Sequence, residues 1–568
     1  WTWELLILLA LALIFFFALE ARLQNGLKYP EVLLNADPYR HHIRTVGVME
    51  TGFLSKFEPY QIGEVPIFEL QGCYILAAVL GVAGPFTAHT LWLWGAQVFG
   101  AFGVLSLYLF TKLALRPLLK RDLGADKLHP DTAGTFLGLI AAAFLAASPV
   151  HILRTNAGFS EAYAIPLLVP TLLFYLWAAQ SRIWGDFIWF GVFFSALALI
   201  NPVPAVFILP FFMVHALVVL LKTKDLKWVW GNLLAAGVFF LCLAVWNWKF
   251  LAVPLITGAE ATSHAGTEGM MRGIGTADTF WGKMTVGWEA FTKEIYRNLG
   301  FIHLKSGLSK LLFGLGGTLS VKLKNIYDTI LLSMASAASI WIMWDSKKRR
   351  WSFDVTTSFF FLSFLVFIVF LFLIPFGIIS FTSKYYRYLL PISLSLSVLC
   401  AYFLWRTNIR FFSSSSQRKV FLSLSLLVSL LIAADGKTWG GWRLNCTPEE
   451  YAAADWINQN TRPEDIIIAN WYTGDYIRSL TKRRVIISEY PRPEVRQAMK
   501  KADLDIPILP RNPAKVIQYI QDHPGTYYLL KSKWGPWGSY DKYLQFEVMK
   551  TFGEEGRRQA KIFKVNVD

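Results

Sequence analysis

Cysteine is scarce in this chain: Cys73, Cys242, Cys400 and Cys446 stand far apart in 568 positions. Cys242 and Cys400 fall inside apolar runs, where a thiol behaves as a small hydrophobe, so neither a disulfide framework nor a cysteine-based metal site follows. Charge is thin as well, at 17% of residues, and acid is the rarer sign, with 39 Asp and Glu against 55 Lys and Arg. What fills the space is apolar: 54% hydrophobic residues, 16% aromatics and a mean hydropathy of +0.41. That exceeds what one soluble core of this length uses, and the chain reads as an integral membrane protein. In a soluble protein a net charge of +16 would suggest nucleic acid. In a membrane protein an excess of Lys and Arg belongs to cytoplasmic loops, and no nucleic-acid partner is expected.

About eleven apolar runs are candidates to cross the bilayer: 3–19, 90–113, 134–148, 162–179, 185–201, 204–222, 228–248, 326–344, 355–377, 389–405 and 418–435. The run at 134–148 is short. Residues 3–19 read as a retained first helix, because no small-residue cleavage pattern follows them. With the N-terminus inside, the basic segments 116–127, 180–186, 221–227, 347–350 and 406–419 all fall on one side, as the positive-inside rule requires. The opposite side receives external loops 23–89 and 249–325, the stretch around 148–163, the short 381–391 and everything after about 436. Residues 72–86 are too short to span comfortably and read as an interfacial or re-entrant helix.

The predicted division is a polytopic α-helical membrane domain, 1–436, and an extracytoplasmic α/β domain, 437–568. The tail opens on TPEE (447–450), a capping box. Strands at 465–470, 484–488, 526–532 and 560–566 alternate with helices, which argues for a partly parallel sheet. Ligands of such sheets lie beyond strand C-terminal ends, which directs attention to NWYTGDY (470–476). NCT (445–447) is an N-x-T sequon on the same side.

Acids on the non-cytoplasmic side are the candidates for chemistry there. Asp37, Glu161 and Glu260 are there, with Glu268 as a competitor to the last, and Arg387 precedes the tenth run. Each has a plain structural alternative. Asp37-Pro38 suits a turn or helix start, Glu161 suits a helix N-terminus, Arg387 suits a snorkelling interfacial arginine, and Glu260 suits a solvated loop.

The passage 99–178, ending in SPVHILRTNAGFSEAYAIP, resembles the second-to-fourth helix region of the catalytic subunit of oligosaccharyltransferases. There a proline closes the third helix, Arg154-Thr155 matches an Arg-Ser or Arg-Thr, and Ala-Gly and an acidic pair open the fourth helix. LNADPYRHHIRT (34–45) resembles the family's first acidic motif, with His41 in its DPYYH-like core. NWYTGDYI resembles the position of the WWDYG segment, ITGAE (256–260) the T/S-x-x-E motif of the large external loop, and RYLLP (387–391) the stretch that touches lipid pyrophosphate. The likeness is strongest at 30–50 and 99–178 and weaker at 249–325 and 440–490.

The resemblance implies a C-type glycosyltransferase fold that moves an oligosaccharide from a polyprenyl (pyro)phosphate donor to an asparagine of an acceptor protein or peptide, in contact with membrane lipid and with accessory membrane subunits as possible partners. It implies Asp37 and Glu260 as catalytic residues, Asp37 and Glu161 as ligands of Mn²⁺ or Mg²⁺, Arg387 on the donor pyrophosphate, and Trp471, Tyr472 and Asp475 on the acceptor. Arg154, His41 and Tyr163 are further candidates. Hard carboxylate oxygens suit Mn²⁺ or Mg²⁺, and positive charge over a departing phosphate is what the chemistry needs. The chain departs from the family twice: Tyr163 replaces the second acid of the pair, and NWYTG keeps only Trp471 and Gly474 of WWDYG. Two other readings stay open. One is a transferase of the same fold acting on a lipid, surface polymer or other non-sequon acceptor; the other is a non-catalytic membrane subunit.

The charge segregation generates a topological test in a prokaryotic cell membrane or an ER-type membrane. Single cysteines placed in 116–131 and 406–419 will resist membrane-impermeant thiol reagents in intact cells, whereas those after 436 will label. Labelling in 406–419 from outside overturns the orientation.

Overall fold

The computed structural model describes residues 2–33, 36–55, 58–62, 72–123, 129–156, 158–257, 333–345, 350–373, 389–435, 446–488, 513–532, 540–554 and 559–566. Glu260, Glu268, Arg387 and Asn445 lie outside the described residues, as does most of loop 249–325.

Each of the eleven apolar runs has a described helix beneath it. Helices α1 (Thr2–Lys28), α2 (Ala36–Thr51) and α3 (Gly72–Ala83) come first. Next are α4 (Ala88–Thr90), a π-helical turn (Leu91–Gly95) and α5 (Ala96–Ala114) in one continuous rod. The chain goes on through α6 (Arg116–Leu123), α7 (Pro130–Ala146), α8 (Pro149–Thr155), α9 (Ser160–Ser181), α10 (Trp184–Ile200), α11 (Pro202–Thr223) and α12 (Leu226–Thr257). Helices α13 (Ser333–Met343), α14 (Val355–Leu373), α15 (Leu389–Phe411) and α16 (Ser415–Asp435) complete the membrane part, with a two-strand ribbon, β1 (Trp344–Asp345) and β2 (Arg350–Trp351), between α13 and α14. Among the described residues, six stretches are long and apolar enough to cross a membrane: Glu4–Gln24, Ala88–Ala114, Ser160–Ser181, Pro202–Thr223, Leu226–Val245 and Ser415–Ala434. The protein is an integral membrane protein.

Helix α7 explains the short run at 134–148. Every residue from Ala133 to Ala146 is buried, with α1, α5, α15 and α16 packed around it. Its surface is Ala- and Gly-rich because it meets protein rather than lipid, and small residues let backbones approach. A Cβ on Gly138 would lie 2.8 Å from the Tyr108 carbonyl oxygen of α5. Helix α3, at 12 residues, rises only about 18 Å, too short to span, as its sequence predicts.

Beyond 446 the capping box forms as read: the Thr447 side chain accepts from the Glu450 amide, and the Glu450 side chain accepts from the Thr447 amide, at the start of α17 (Pro448–Asn460). Strands β3 (Ile466–Asn470), β4 (Arg484–Ser488), β5 (Tyr527–Lys531), β6 (Phe546–Phe552) and β7 (Ala560–Val565) form one sheet in the order β4-β3-β5-β7-β6. The β4-β3-β5 half is parallel and the β5-β7-β6 half antiparallel. Helices α18 (Trp471–Thr481) and α19 (Pro513–Asp522) accompany it. Helix α18 begins at Trp471, where the Asn470 side chain caps it by accepting from the Thr473 amide at 2.9 Å. β6 was not expected; it is an edge strand with an exposed middle, so it carries no inward-outward alternation.

The loop after α1 is bound to this sheet. The Val485 amide donates to the Tyr60 carbonyl (2.9 Å) and the Ile62 amide to the Val485 carbonyl (3.1 Å), so residues 60–62 pair in parallel with β4 at the sheet edge. Alongside, α2 packs on α18 through buried ion pairs. Arg40 donates to Asp475 Oδ2 from Nε (3.1 Å) and Nη2 (2.7 Å), while Arg478 donates to Oδ1 from Nε (3.0 Å) and Nη2 (2.7 Å). Arg478 Nη1 reaches Glu58 Oε2 at 2.9 Å, and Arg44 bonds both oxygens of Glu58. All five groups are buried. Removing one member of such a set strands its partner, which costs about 3–5 kcal/mol.

Burial alone would raise the Glu58 pKa, but the guanidiniums of Arg44 and Arg478 outweigh it and lower the value from 4.5 to about 2. A depressed carboxyl adds stability that is complete above the unfolded value and is lost as pH falls through the folded one. The stability advantage of the wild type over Glu58→Gln, read by thermal unfolding in detergent, will therefore shrink by roughly 3 kcal/mol between pH 6 and pH 2. A pH-independent difference overturns the assignment.

Candidate active site

Asp37 stands in the first turn of α2, where Pro38 is pre-set for a helix start and an acid suits the helix N-terminus. Its carboxylate is 23% exposed, and Arg40 Nη1 lies 3.7 Å from Oδ1, longer than the contacts Arg40 makes with Asp475. One turn on, His41 is buried in an aromatic group: its ring stacks on Trp92 with centroids 4.8 Å apart, and its Nδ1 is 3.1 Å from the Tyr74 hydroxyl. Trp92 in turn donates to Thr45 Oγ1 at 2.9 Å. The structure thus gives His41 a packing role that fixes α2 against the π-helical turn. His42 faces α18, with Nδ1 2.7 Å from the Ser479 hydroxyl; burial first, then His89 and Lys482, lower its pKa to about 3, so it is neutral at physiological pH.

The second motif follows from local stereochemistry. Ser148 and Pro149 start α8, which presents Arg154. The Arg154 guanidinium lies over the Phe159 ring, 4.2 Å from its centroid, and bonds Glu161 Oε1 in the first turn of α9. Gly158 has φ +70, and a Cβ there would lie 2.4 Å from the Trp92 carbonyl oxygen and 3.4 Å from Pro38. Only glycine fits. The close approach seats the Asp37-Pro38 turn beside the segment that carries Glu161, bringing the two sequence motifs together across 120 positions.

Tyr163 does not join them. Its hydroxyl donates to the Leu91 carbonyl at 2.7 Å, inside the π-helical turn, with Trp92 and Phe99 against the ring. The hydroxyl is spent on a backbone carbonyl. Asp475 is also relocated. It is fully buried with both oxygens held by Arg40 and Arg478, so it faces α2 rather than an acceptor. Trp471 and Tyr472 open α18 at the C-terminal end of β3, and their side chains lie outside the described residues. Beside them Thr473, Glu450 and Ser532 form a buried polar group, with Thr473 Oγ1 2.8 Å from Ser532 Oγ. The Thr447 hydroxyl of the NCT sequon is buried and caps α17, which removes it from recognition in the folded chain.

Two residues escaped the sequence reading. Glu58 sits in no motif. Arg22, at the far end of α1, donates to Thr155 Oγ1 at 2.7 Å and to the Ala18 carbonyl, and its Nη2 contacts His151 Nδ1. It pins α8, and with it Arg154. Among the described residues no group of three or more His, Cys, Asp or Glu could hold a metal ion.

The tight seat of Gly158 generates a test. Gly158→Ala will strain both the left-handed backbone and the Trp92 contact and lower thermal stability by at least about 1–3 kcal/mol. Unchanged stability would show that the Pro38 turn does not rest there.

No protein-family model matches the chain, and no curated protein matches it. Solved structures do. The apo oligosaccharyltransferase of Archaeoglobus fulgidus aligns over 94% of this chain and 70% of its own, with a TM-score of 0.60 at 13% identity. The same enzyme tethered to an acceptor peptide containing the NVT sequon aligns over 93% and 69%, with a TM-score of 0.53 at 12% identity. The A. fulgidus oligosaccharyltransferase AglB, in complex with an inhibitory peptide and a dolichol-phosphate, aligns over 93% and 70%, with a TM-score of 0.50 at 12% identity. At such identity it is the path of the chain that is shared, and the protein has the membrane-glycosyltransferase fold of the archaeal oligosaccharyltransferases.

Proposed function

We propose that the protein is a membrane glycosyltransferase that moves a glycan from a polyprenyl (pyro)phosphate to a protein acceptor, on asparagine. The observation that carries this reading is the seating of the Asp37-Pro38 turn against Gly158, which puts the acids of two separate motifs on neighbouring segments. The fold neighbours support it, since one is tethered to an NVT acceptor peptide and another is bound to a dolichol-phosphate and an inhibitory peptide.

In this reading Asp37 and Glu161 would hold the divalent ion. Their hard oxygens fit Mn²⁺ or Mg²⁺. When bound, the ion supplies positive charge over the leaving phosphate. The chain's own residues do the rest. Arg154 orients Glu161 through their buried ion pair. Asp37, in the first turn of α2, would hold the acceptor amide. Arg387 and Glu260 remain candidates for the donor pyrophosphate and for catalysis. The C-terminal domain and the site lie on the non-cytoplasmic side.

The acceptor is read at the start of α18. With Asn470 and Tyr472 flanking Trp471 and with Asp475 withdrawn into the interior, no carboxylate is offered to a sequon hydroxyl from this segment. A site that hydrogen-bonds a hydroxyl rejects the analogue lacking it, so discrimination between N-x-T and N-x-A peptides is expected to be weak. A non-sequon acceptor is the second reading, favoured by that same withdrawal of Asp475.

Membranes containing the protein, given an extractable lipid-linked oligosaccharide, an N-x-T peptide and Mn²⁺, will glycosylate the peptide. Asp37→Asn will lower the rate by at least about a hundredfold, the scale of a lost electrostatic catalytic group, at unchanged thermal stability. Full activity in that variant refutes the reading.

A further inference from the structure

The rod that runs from α4 into α5 contains one π-helical turn, Leu91–Gly95, in which the Leu91 carbonyl is met by the Ala96 amide, five residues on. Both acidic motifs are attached to this turn. From α9, the Tyr163 hydroxyl donates to the same Leu91 carbonyl at 2.7 Å, two residues after Glu161. Gly95 leaves the room, since a Cβ there would lie 3.1 Å from the Tyr163 oxygen. From α2, Thr45 Oγ1 donates to the His41 carbonyl at 2.9 Å and accepts from Trp92 Nε1 at 2.9 Å, while the His41 ring stacks on the Trp92 indole. That indole also meets the Tyr163 ring edge-on, with centroids 5.3 Å apart, and the Trp92 carbonyl closes on Gly158. Thr45, Trp92 and Tyr163 are buried, so these bonds form without competition from bulk water.

We propose that Tyr163 is a positioning residue and that the π-helical turn is the common seat of the two acidic motifs. Tyr163 fastens the first turn of α9 to this seat, Thr45 and His41 fasten α2 to it, and the two attachments together set Glu161 against Asp37. This rests on the reading of Asp37 and Glu161 as the site. The residue that stands where the resembled family has its second acid then acts through where it holds Glu161, with no bond of its own to metal or donor.

Hydrogen exchange of the full-length protein in detergent tests the shared seat without metal or substrate. Tyr163→Phe will speed exchange in peptides covering 160–169 and also in those covering 36–51. Thr45→Val, which removes a hydroxyl that bonds Trp92 and its own helix, will do the same in both. Thr45→Ser keeps the acceptor and will leave both at wild-type rates. Loosening confined to the substituted helix in each variant overturns the proposal, and so does wild-type exchange in both. Mn²⁺ titration by electron paramagnetic resonance then reads the consequence at the site. Tyr163→Phe and Thr45→Val will each bind about 10–100-fold more weakly, the usual cost of losing an outer partner of a metal ligand. A phenol acting as a ligand would leave Thr45→Val at wild-type affinity, and a merely structural tyrosine would lower thermal stability with affinity unchanged in both variants; either result overturns the proposal. If the wild type binds no Mn²⁺ while the two helices loosen together, the metal reading fails and the shared seat stands. Should Tyr163→Phe fail to fold, Thr45→Val decides alone: exchange of 160–169 at the wild-type rate contradicts the proposal.

Discussion

The arrangement depends on one buried set of charges. Arg40, Asp475, Arg478, Glu58 and Arg44 link α2 to α18 with each carboxylate shared between guanidiniums. Ion pairs this deep gain little over a well-packed apolar contact. What they add is registry: an arginine fork accepts a carboxylate in few geometries, so the two domains meet in one orientation. The edge pairing of residues 60–62 with β4 repeats the constraint in the backbone. From this follow the seat of Pro38 on Gly158 and the position of Asp37.

The membrane part is built on a different economy of contacts. Small residues on α7 admit Tyr108 and its neighbours, while α1 and α16 present mostly exposed apolar faces, as lipid-facing helices do. At one end of the bundle Asp122 gathers Tyr402 and Arg406 at 2.9 and 3.0 Å, tying α6 to α15. Elsewhere in the bundle Arg22 joins α1 to α8. Polar residues inside a bundle thus act as fasteners between helices, and Arg22 fastens the helix that carries Arg154.

Hydropathy made the helices legible, because a bilayer demands continuous apolar runs whatever the tertiary contacts. The acidic motifs were legible through resemblance, and the geometry brings two of them together. The partners of those acids were not. Arg40 and Asp475 lie 435 positions apart, and Glu58 and Arg478 lie 420 apart; no periodicity connects them, and a single loop acid such as Glu58 looks solvated. Tyr163 was visible as a departure from an acidic pair, but its use, a hydroxyl on the Leu91 carbonyl, depends on a π-helical turn that no residue pattern announces. The start of α18 was readable in principle, since Asn470 is a good N-cap three residues before Thr473.

The central claim is that the loop after α1 and the C-terminal domain form one unit that holds the site. Hydrogen exchange of the purified full-length protein tests it most directly, because the Ile62 and Val485 amides bond across the boundary. The account predicts that residues 60–62 exchange as slowly as β4 and lose protection together with it as denaturant is added. Rapid exchange of 60–62 while β4 stays protected would contradict it.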